Sequence, residues 1–158
     1  MILTVDIGNT ATTMGLYTPE GTLRFRGALK TDKNKTQDQL AIDLLDMFHL
    51  YQADIGEVTG GVISSVVPPM THAMAGAIRQ LSGVRPMIVG PGVKTGMNIL
   101  AEVHNQLGAD IVASSVAALQ KYPQPIIVID MGTATTLSYL GNNTYEGCVI
   151  IPGVRIAV

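Results

Sequence analysis

Val5-Asp6-Ile7-Gly8-Asn9-Thr10-Ala11-Thr12-Thr13, near the N-terminus, recurs one residue shorter as Ile129-Asp130-Met131-Gly132-Thr133-Ala134-Thr135-Thr136. Each copy follows an apolar stretch and leads into another, so each reads as a β-hairpin with an Asp at its mouth. Gly-Asn is a common turn dipeptide, and one copy alone is equally well a plain hairpin. Two copies shift the reading toward function. A carboxylate at the end of a buried strand can hold a hydrated Mg²⁺, and a side-chain-free Gly8 lets backbone N–H groups approach a phosphate. A nucleoside triphosphate clamped between two such hairpins would find a carboxylate and backbone donors on either side.

Working outward from the first copy, Met1 to Ile7, Thr12 to Tyr17 and Thr22 to Leu29 are predicted strands, separated by the turn signals Gly8-Asn9 and Pro19-Glu20-Gly21. Short strands joined by tight turns give an antiparallel meander. From Thr36 onward, Leu40, Leu44, Phe48 and Tyr51 recur at helical spacing. Val58 to Ser65 reads as a buried strand, Pro69 to Leu81 as a helix with Met70, Met74, Ala77, Ile78 and Leu81 inward, and Pro86 to Val89 as another strand. Gly108 opens a third helix that presents Val112, Val116 and Leu119 to a core. A meander followed by strands alternating with helices predicts a mixed α/β sheet with parallel pairing after the meander. By element order, the arrangement resembles the ribonuclease-H-like half-domain of the actin and sugar-kinase superfold.

The repeat predicts a duplication in which residues 1–124 form an N-terminal ribonuclease-H-like ATPase domain and residues 125–158 begin a second one. The chain has 158 residues, one ordinary domain's worth, so the second domain is expected to be largely missing and the chain truncated. Its apolar strand Val149 to Ile151, without covering helices, is expected to favour self-association.

Composition narrows the chemistry. Apolar residues make up 47% and charged residues 14%, which supports a sizeable core and excludes a disordered chain. The formal net charge is −2, and Lys and Arg are scattered, so nucleic-acid binding is not expected. No apolar run is long enough to span a bilayer. With one cysteine, Cys148, and no signal-like N-terminal stretch, the expected setting is the cytoplasm.

Asp110 stands in Gly108-Ala109-Asp110 at the start of the third helix. It reads either as a first-turn Asp favoured by the helix dipole or as a general base acting on a hydroxyl that attacks a γ-phosphate. Gly92-Val93-Lys94-Thr95-Gly96 lacks P-loop spacing and reads first as a solvated turn, then as a substrate rim. His49, His72 and His104 show no ligand spacing. Lys30, Lys33 and Lys35 read as a solvated loop, and Cys148 as a small buried residue.

Six ordered motifs together resemble the type III pantothenate kinase (Bvg accessory factor) family. They are Asp6-Ile7-Gly8-Asn9-Thr10, Ser64-Ser65-Val66-Val67-Pro68, Gly92 to Gly96, Gly108-Ala109-Asp110, Asp130 to Thr136, and Gly147 through Pro152-Gly153. The resemblance implies transfer of a phosphoryl group from ATP to pantothenate, giving 4'-phosphopantothenate in the first step of coenzyme A synthesis, with Mg²⁺ and a monovalent cation, K⁺ or NH₄⁺, in a homodimer. It places Asp6, Gly8, Asn9 and Thr10 on the phosphates and Gly132, Thr133 and Thr135 on the nucleotide side. Asp6 and Asp130 would hold metal, Asp110 would be the catalytic base, and Gly108, Ala109 and Ala101 would flank the acceptor. The chain departs from the family where an Arg usually follows the Gly-Ala-Asp triplet, here Ile111, and where a Tyr covers the substrate, here Ala101. Val103 and His104 replace an Asn-Pro pair, and Cys148 replaces a glycine. These changes leave open a catalytically impaired relative acting as a regulator or binding protein. A third reading, a two-metal nuclease built on Asp6, Asp110 and Asp130, is disfavoured by the acidic balance.

Overall fold

The computed structural model describes residues 1–90, 93–100 and 107–154, and the chain divides into two compact units, Met1–Val89 and Gly90–Val158. In the first, β1 (Ile2–Ile7), β2 (Ala11–Tyr17) and β3 (Leu23–Lys30) form the predicted meander. β4 (Gly60–Ser65) and β5 (Met87–Ile88) extend it with parallel pairing, in the order β3-β2-β1-β4-β5. The predicted strand from Val58 starts two residues later, because Ile55–Glu57 form a 3₁₀ turn capped by the Asp54 side chain and Val58 closes it by donating to Ile55 O.

Helices α1 (Gln37–Leu50) and α2 (Pro68–Ser82) cover one face of this sheet. α1 begins where Thr36 and Gln39 form a reciprocal capping box, satisfying two orphan donors of the first turn. α2 starts on Pro68 and Pro69, which fit a first turn that needs no N–H, and stops at Gly83, whose φ of +73° is left-handed. Strand alternation puts Leu3, Val5 and Ile7 under these helices beside Ile63, Leu44, Phe48, Met74 and Ile78. Phe25 stacks on Tyr51 at 4.7 Å and meets Phe48 edge-on at 5.3 Å. Val5 and Ile7 leave their intervening neighbour, Asp6, on the opposite face.

In the second unit, β7 (Ile126–Met131), β8 (Ala134–Gly141) and β9 (Thr144–Pro152) form another antiparallel meander. A two-residue strand, β6 (Asn98–Ile99), pairs parallel with β9. It is too short for a hydrophobic period and is not evident in the sequence. β8 turns into β9 through Asn142 and Asn143, both at positive φ (50° and 58°), as a tight two-residue hairpin requires. α3 (Ala109–Lys121) packs on this meander. Its fully buried positions are Ile111, Ser115 and Ala118, and the predicted Val112, Val116 and Leu119 lie beside them, partly buried.

The two meanders share detail beyond their opening motif. Asp6 pairs with Thr13 across the first hairpin and Asp130 with Thr136 across the second. In both, the register between second and third strands slips by one residue, at Leu16/Tyr17 and at Tyr139/Leu140. These are the same place counted from the Thr that pairs with each Asp, and the extra residues are Arg24 and Glu146. The faces differ in their cover: Leu3, Val5 and Ile7 are 0–2% exposed, whereas their counterparts Ile127, Ile129 and Met131 are 65%, 59% and 75% exposed.

Cys148 is exposed, not buried as predicted. Among the described residues β6 pairs with Thr144 and Tyr145 of β9 and not with Cys148, which lies further along that strand.

Candidate functional site

The first hairpin is closed by Gly8 N–H donating to Ala11 O at 3.0 Å, which leaves Asn9 and Thr10 at its tip. A β-carbon on Gly8 would lie 3.1 Å from that same oxygen. Behind the tip, Thr31 fixes the loop three times. Its N–H donates to Thr10 O at 3.0 Å, its hydroxyl donates to Gly8 O at 2.7 Å, and its Oγ1 lies 3.0 Å from Thr12 Oγ1. Since the single Thr31 proton goes to Gly8, Thr12 must be the donor in their shared bond. The carbonyl oxygens of the loop are thereby turned inward. Lys33 Nζ reaches over the tip to Asn9 Oδ1 at 3.3 Å and brings a positive charge to it.

Sequence alone does not mark Thr31 or Lys33 as site residues. They sit in a polar stretch whose composition reads as solvent-facing, and only the chain's return past the hairpin brings them to it. Lys35, in contrast, pairs with Asp43 on α1 at 2.6 Å.

Asp6 is exposed on the sheet face opposite α1 and α2. The register places Thr13 of β2 on one side of it and Ser64 of β4 on the other. Ser65 is engaged with Val67 N–H, Val67 O and Thr71 Oγ1. Ser64 Oγ is buried and has no hydrogen-bond partner among the described residues. β1, β4 and β5 run parallel, so the residues following Asp6 and Ser64 leave the sheet at its carboxyl edge, where open α/β sheets place their ligands.

The second hairpin solves the same problem differently. Gly132 N–H donates to Ala134 O at 3.0 Å, leaving Thr133 alone at the tip and accounting for the missing residue. Gly153 N–H donates to Thr133 O at 3.1 Å, as Thr31 N–H does to Thr10 O. A β-carbon at Gly153 would lie 2.4 Å from both Gly132 O and Thr133 O. No side chain fits there; a backbone replaces the Thr31 clamp. Thr135 is buried at the position of Thr12, and Asp130 is exposed at the position of Asp6.

At the start of α3, Gly108 is the N-cap and supplies no capping side chain. Asp110 Oδ1 accepts from Ile111 N–H at 2.8 Å, which orients the carboxylate at the helix end. Ile111 itself is buried with Met97, Leu140 and Tyr145. The residue standing where the resemblance places an Arg is therefore a core anchor. Beneath α3, Tyr145 and Ser138 share a buried 3.2 Å hydrogen bond, and burial pushes the Tyr145 hydroxyl up to about 12.

Ala101, Val103, His104 and Gly92 lie outside the described residues. Among the described residues no group of three or more His, Cys, Asp or Glu is placed to enclose a metal. A Mg²⁺ ion needs no such cage, because it keeps most of its waters and takes one or two carboxylates. One exposed carboxylate beside one orphaned hydroxyl, as at Asp6 and Ser64, suits an ion held through its water shell.

A family model described as type III pantothenate kinase matches residues 2–158. The type III pantothenate kinase of Listeria innocua is 40% identical over 99% of this chain and 61% of its own length. That of Halalkalibacterium halodurans is 41% identical over 99% and 62%. The chain thus spans about three fifths of the length of these relatives. Among solved structures, the Ppx/GppA phosphatase of Aquifex aeolicus superposes with a TM-score of 0.52 at 11% identity, covering 98% of this chain and 53% of the other. The ethanolamine utilization protein EutJ of Carboxydothermus hydrogenoformans gives 0.54 at 13% identity, covering 96% and 51%. Those likenesses bear on the fold, which is the α/β fold of the actin and sugar-kinase superfold.

Proposed function

The chain belongs to the type III pantothenate kinase family, and from that premise we propose that the protein transfers the γ-phosphoryl group of ATP to pantothenate, yielding 4'-phosphopantothenate. The observation that carries this reading is the pair of Asp-headed hairpins, matched in register and bulge, each with its tip fixed from behind. Phosphoryl transfer asks the protein mainly for positioning and charge neutralisation. Rigid loops with inward-turned carbonyls leave their other edge for anionic oxygens.

In this reading Gly8, Asn9 and Thr10 meet the phosphates of ATP, with Lys33 adding a positive charge at Asn9. Gly132, Thr133 and Thr135 serve the nucleotide side, where Asp130 and a monovalent cation, K⁺ or NH₄⁺, would meet. Asp6 would hold Mg²⁺, which when bound neutralises phosphate charge. Asp110 is the general base. One of its oxygens is oriented by Ile111 N–H, and the other would take the proton of the pantothenate hydroxyl as that oxygen bonds to the γ-phosphorus. The bond from phosphorus to the bridging oxygen breaks and ADP departs. Gly108 and Ala109, with Ala101, would flank the acceptor. With Ile111 in the core, recognition of the acceptor's carboxylate falls to another group.

The internal repeat supports a duplicated domain that begins anew near residue 125. A homodimer and a cytoplasmic setting complete the proposal. Among the described residues no helix is long and apolar enough to cross a membrane. The test is mass-spectrometric detection of 4'-phosphopantothenate from the complete gene product with ATP, Mg²⁺, K⁺ and pantothenate, beside Asp110→Asn. Product that vanishes in the variant is expected; a folded protein making none would reject the proposal.

A further inference from the structure

Ser64 is a buried polar residue on the strand beside Asp6. It is 7% exposed, and its Oγ has no hydrogen-bond partner among the described residues. Leaving a hydroxyl unpaired in the interior is unfavourable, and such a group in a well-packed fold calls for a reason. Ser115 is the other orphan among the described residues. It lies in the middle of α3, where a serine rotamer can return to the carbonyl of the preceding turn. Ser64 stands in a strand, where the neighbouring carbonyls point along the ladder.

Its position is specific. Ser64 is the parallel partner of Asp6, directly across from it between the last residues of β4 and β1. Ile63, the residue before it, is fully buried on the helix-covered face with Val5, so Ser64 projects from the face that carries Asp6. The adjacent hydroxyl, Ser65, is satisfied within its own turn. Of two consecutive serines, one is consumed by the fold and the other is held in reserve next to the carboxylate.

We propose that Ser64 Oγ is a ligand-positioning hydroxyl that hydrogen-bonds a water in the shell of a divalent cation held at Asp6. The proposal rests on reading the Asp6 hairpin as a phosphate and metal site. A carboxylate oxygen and a hydroxyl on adjacent strands form two anchors for one hydrated ion. Water bridges of this kind come close to direct hydrogen bonds in enthalpy.

The test uses the 158-residue chain with Mn²⁺ and the non-hydrolysable nucleotide AMP-PNP, reading bound metal from the loss of the free Mn²⁺ paramagnetic signal and nucleotide affinity by calorimetry. Ser64→Ala is expected to weaken Mn²⁺-dependent binding about tenfold, while its melting temperature without ligand stays level or rises because the orphan is gone. Ser64→Thr keeps the hydroxyl and is expected to stay within about threefold of the parent. In EDTA the parent and Ser64→Ala should bind AMP-PNP alike. A Ser64→Ala chain that binds as the parent does, while Asp6→Asn does not, overturns the role of Ser64 and leaves the nucleotide reading standing. An equal loss in EDTA overturns the metal-water assignment. A folded parent that binds neither metal nor nucleotide overturns both.

Discussion

Thr31→Val preserves side-chain shape while deleting the hydroxyl that holds the first hairpin. Two hydrogen bonds disappear, one to Gly8 O at 2.7 Å and one from Thr12 Oγ1 at 3.0 Å. At about 1 kcal/mol net each they amount to about 2 kcal/mol. Thr12 is only 2% exposed, so its stranded hydroxyl adds a desolvation cost of about 1–2 kcal/mol. The first unit should therefore lose about 3–4 kcal/mol, which at an m-value of about 2 kcal/mol/M lowers its urea midpoint by about 1.5–2 M. Circular dichroism follows the unfolding. Thr12→Val alone removes one bond, leaves Thr31 attached to Gly8, and should cost about 1 kcal/mol. The double variant loses the same two bonds with no Thr12 hydroxyl stranded, about 2 kcal/mol, so the two single costs should fall short of adding by about 2–3 kcal/mol. Thr31→Ser, which keeps the hydroxyl, should lie close to the parent. A loss below about 0.5 kcal/mol for Thr31→Val, or strict additivity in the cycle, would refute the relay from Thr12 through Thr31 to Gly8.

Gly153→Ala should destabilise the second unit by about 1–3 kcal/mol, since the new methyl meets two backbone oxygens that cannot turn aside; a melting temperature equal to the parent's would contradict the close approach. Lys33→Ala should leave stability unchanged and weaken AMP-PNP binding several-fold, with a smaller effect at high salt; equal losses at low and high salt would remove the charge from the argument. Tyr145 carries the pH prediction. Its hydroxyl ionises at about 12 in the fold against 10.0 for an unperturbed tyrosine, so its contribution is whole below pH 10. Stability then falls as pH rises from 10 to 12, by about 1.4 kcal/mol per unit and about 2–3 kcal/mol in all. Tyr145→Phe should flatten that slope, and an alkaline limb identical in both proteins would sink the assignment.

The elements that sequence makes visible are those whose causes are local. The Asp-x-Gly turns, the helical spacing of Leu40, Leu44 and Phe48 and that of Met70, Met74, Ala77 and Ile78 each act within a few residues. The repeat made the candidate hairpins legible for the same reason. The groups that hold those hairpins are remote in the chain: Thr31 lies 23 residues from Gly8, and Lys33 lies 24 from Asn9. A threonine and a lysine in a polar loop carry no local sign of what they will touch. Ser64 is similar. Its neighbour's identical side chain is consumed by a turn, and only burial and register separate the two. The exposure of Cys148 is not legible either, because what covers a strand position is set by elements remote in the chain.

The two clamps also set how each hairpin can change over evolutionary time. At position 31 the clamp is a side chain, and substitution there is graded: serine, valine and alanine remove successive parts of it. Drift at the first hairpin can proceed in small steps, each open to compensation from Thr12 or Lys33. At position 153 the clamp is the backbone itself, with no space for a β-carbon. Substitution is all or nothing, and no neighbouring side chain can make good the loss. The two hairpins therefore carry unequal mutational freedom, with adjustable tuning in the first and a fixed geometry in the second.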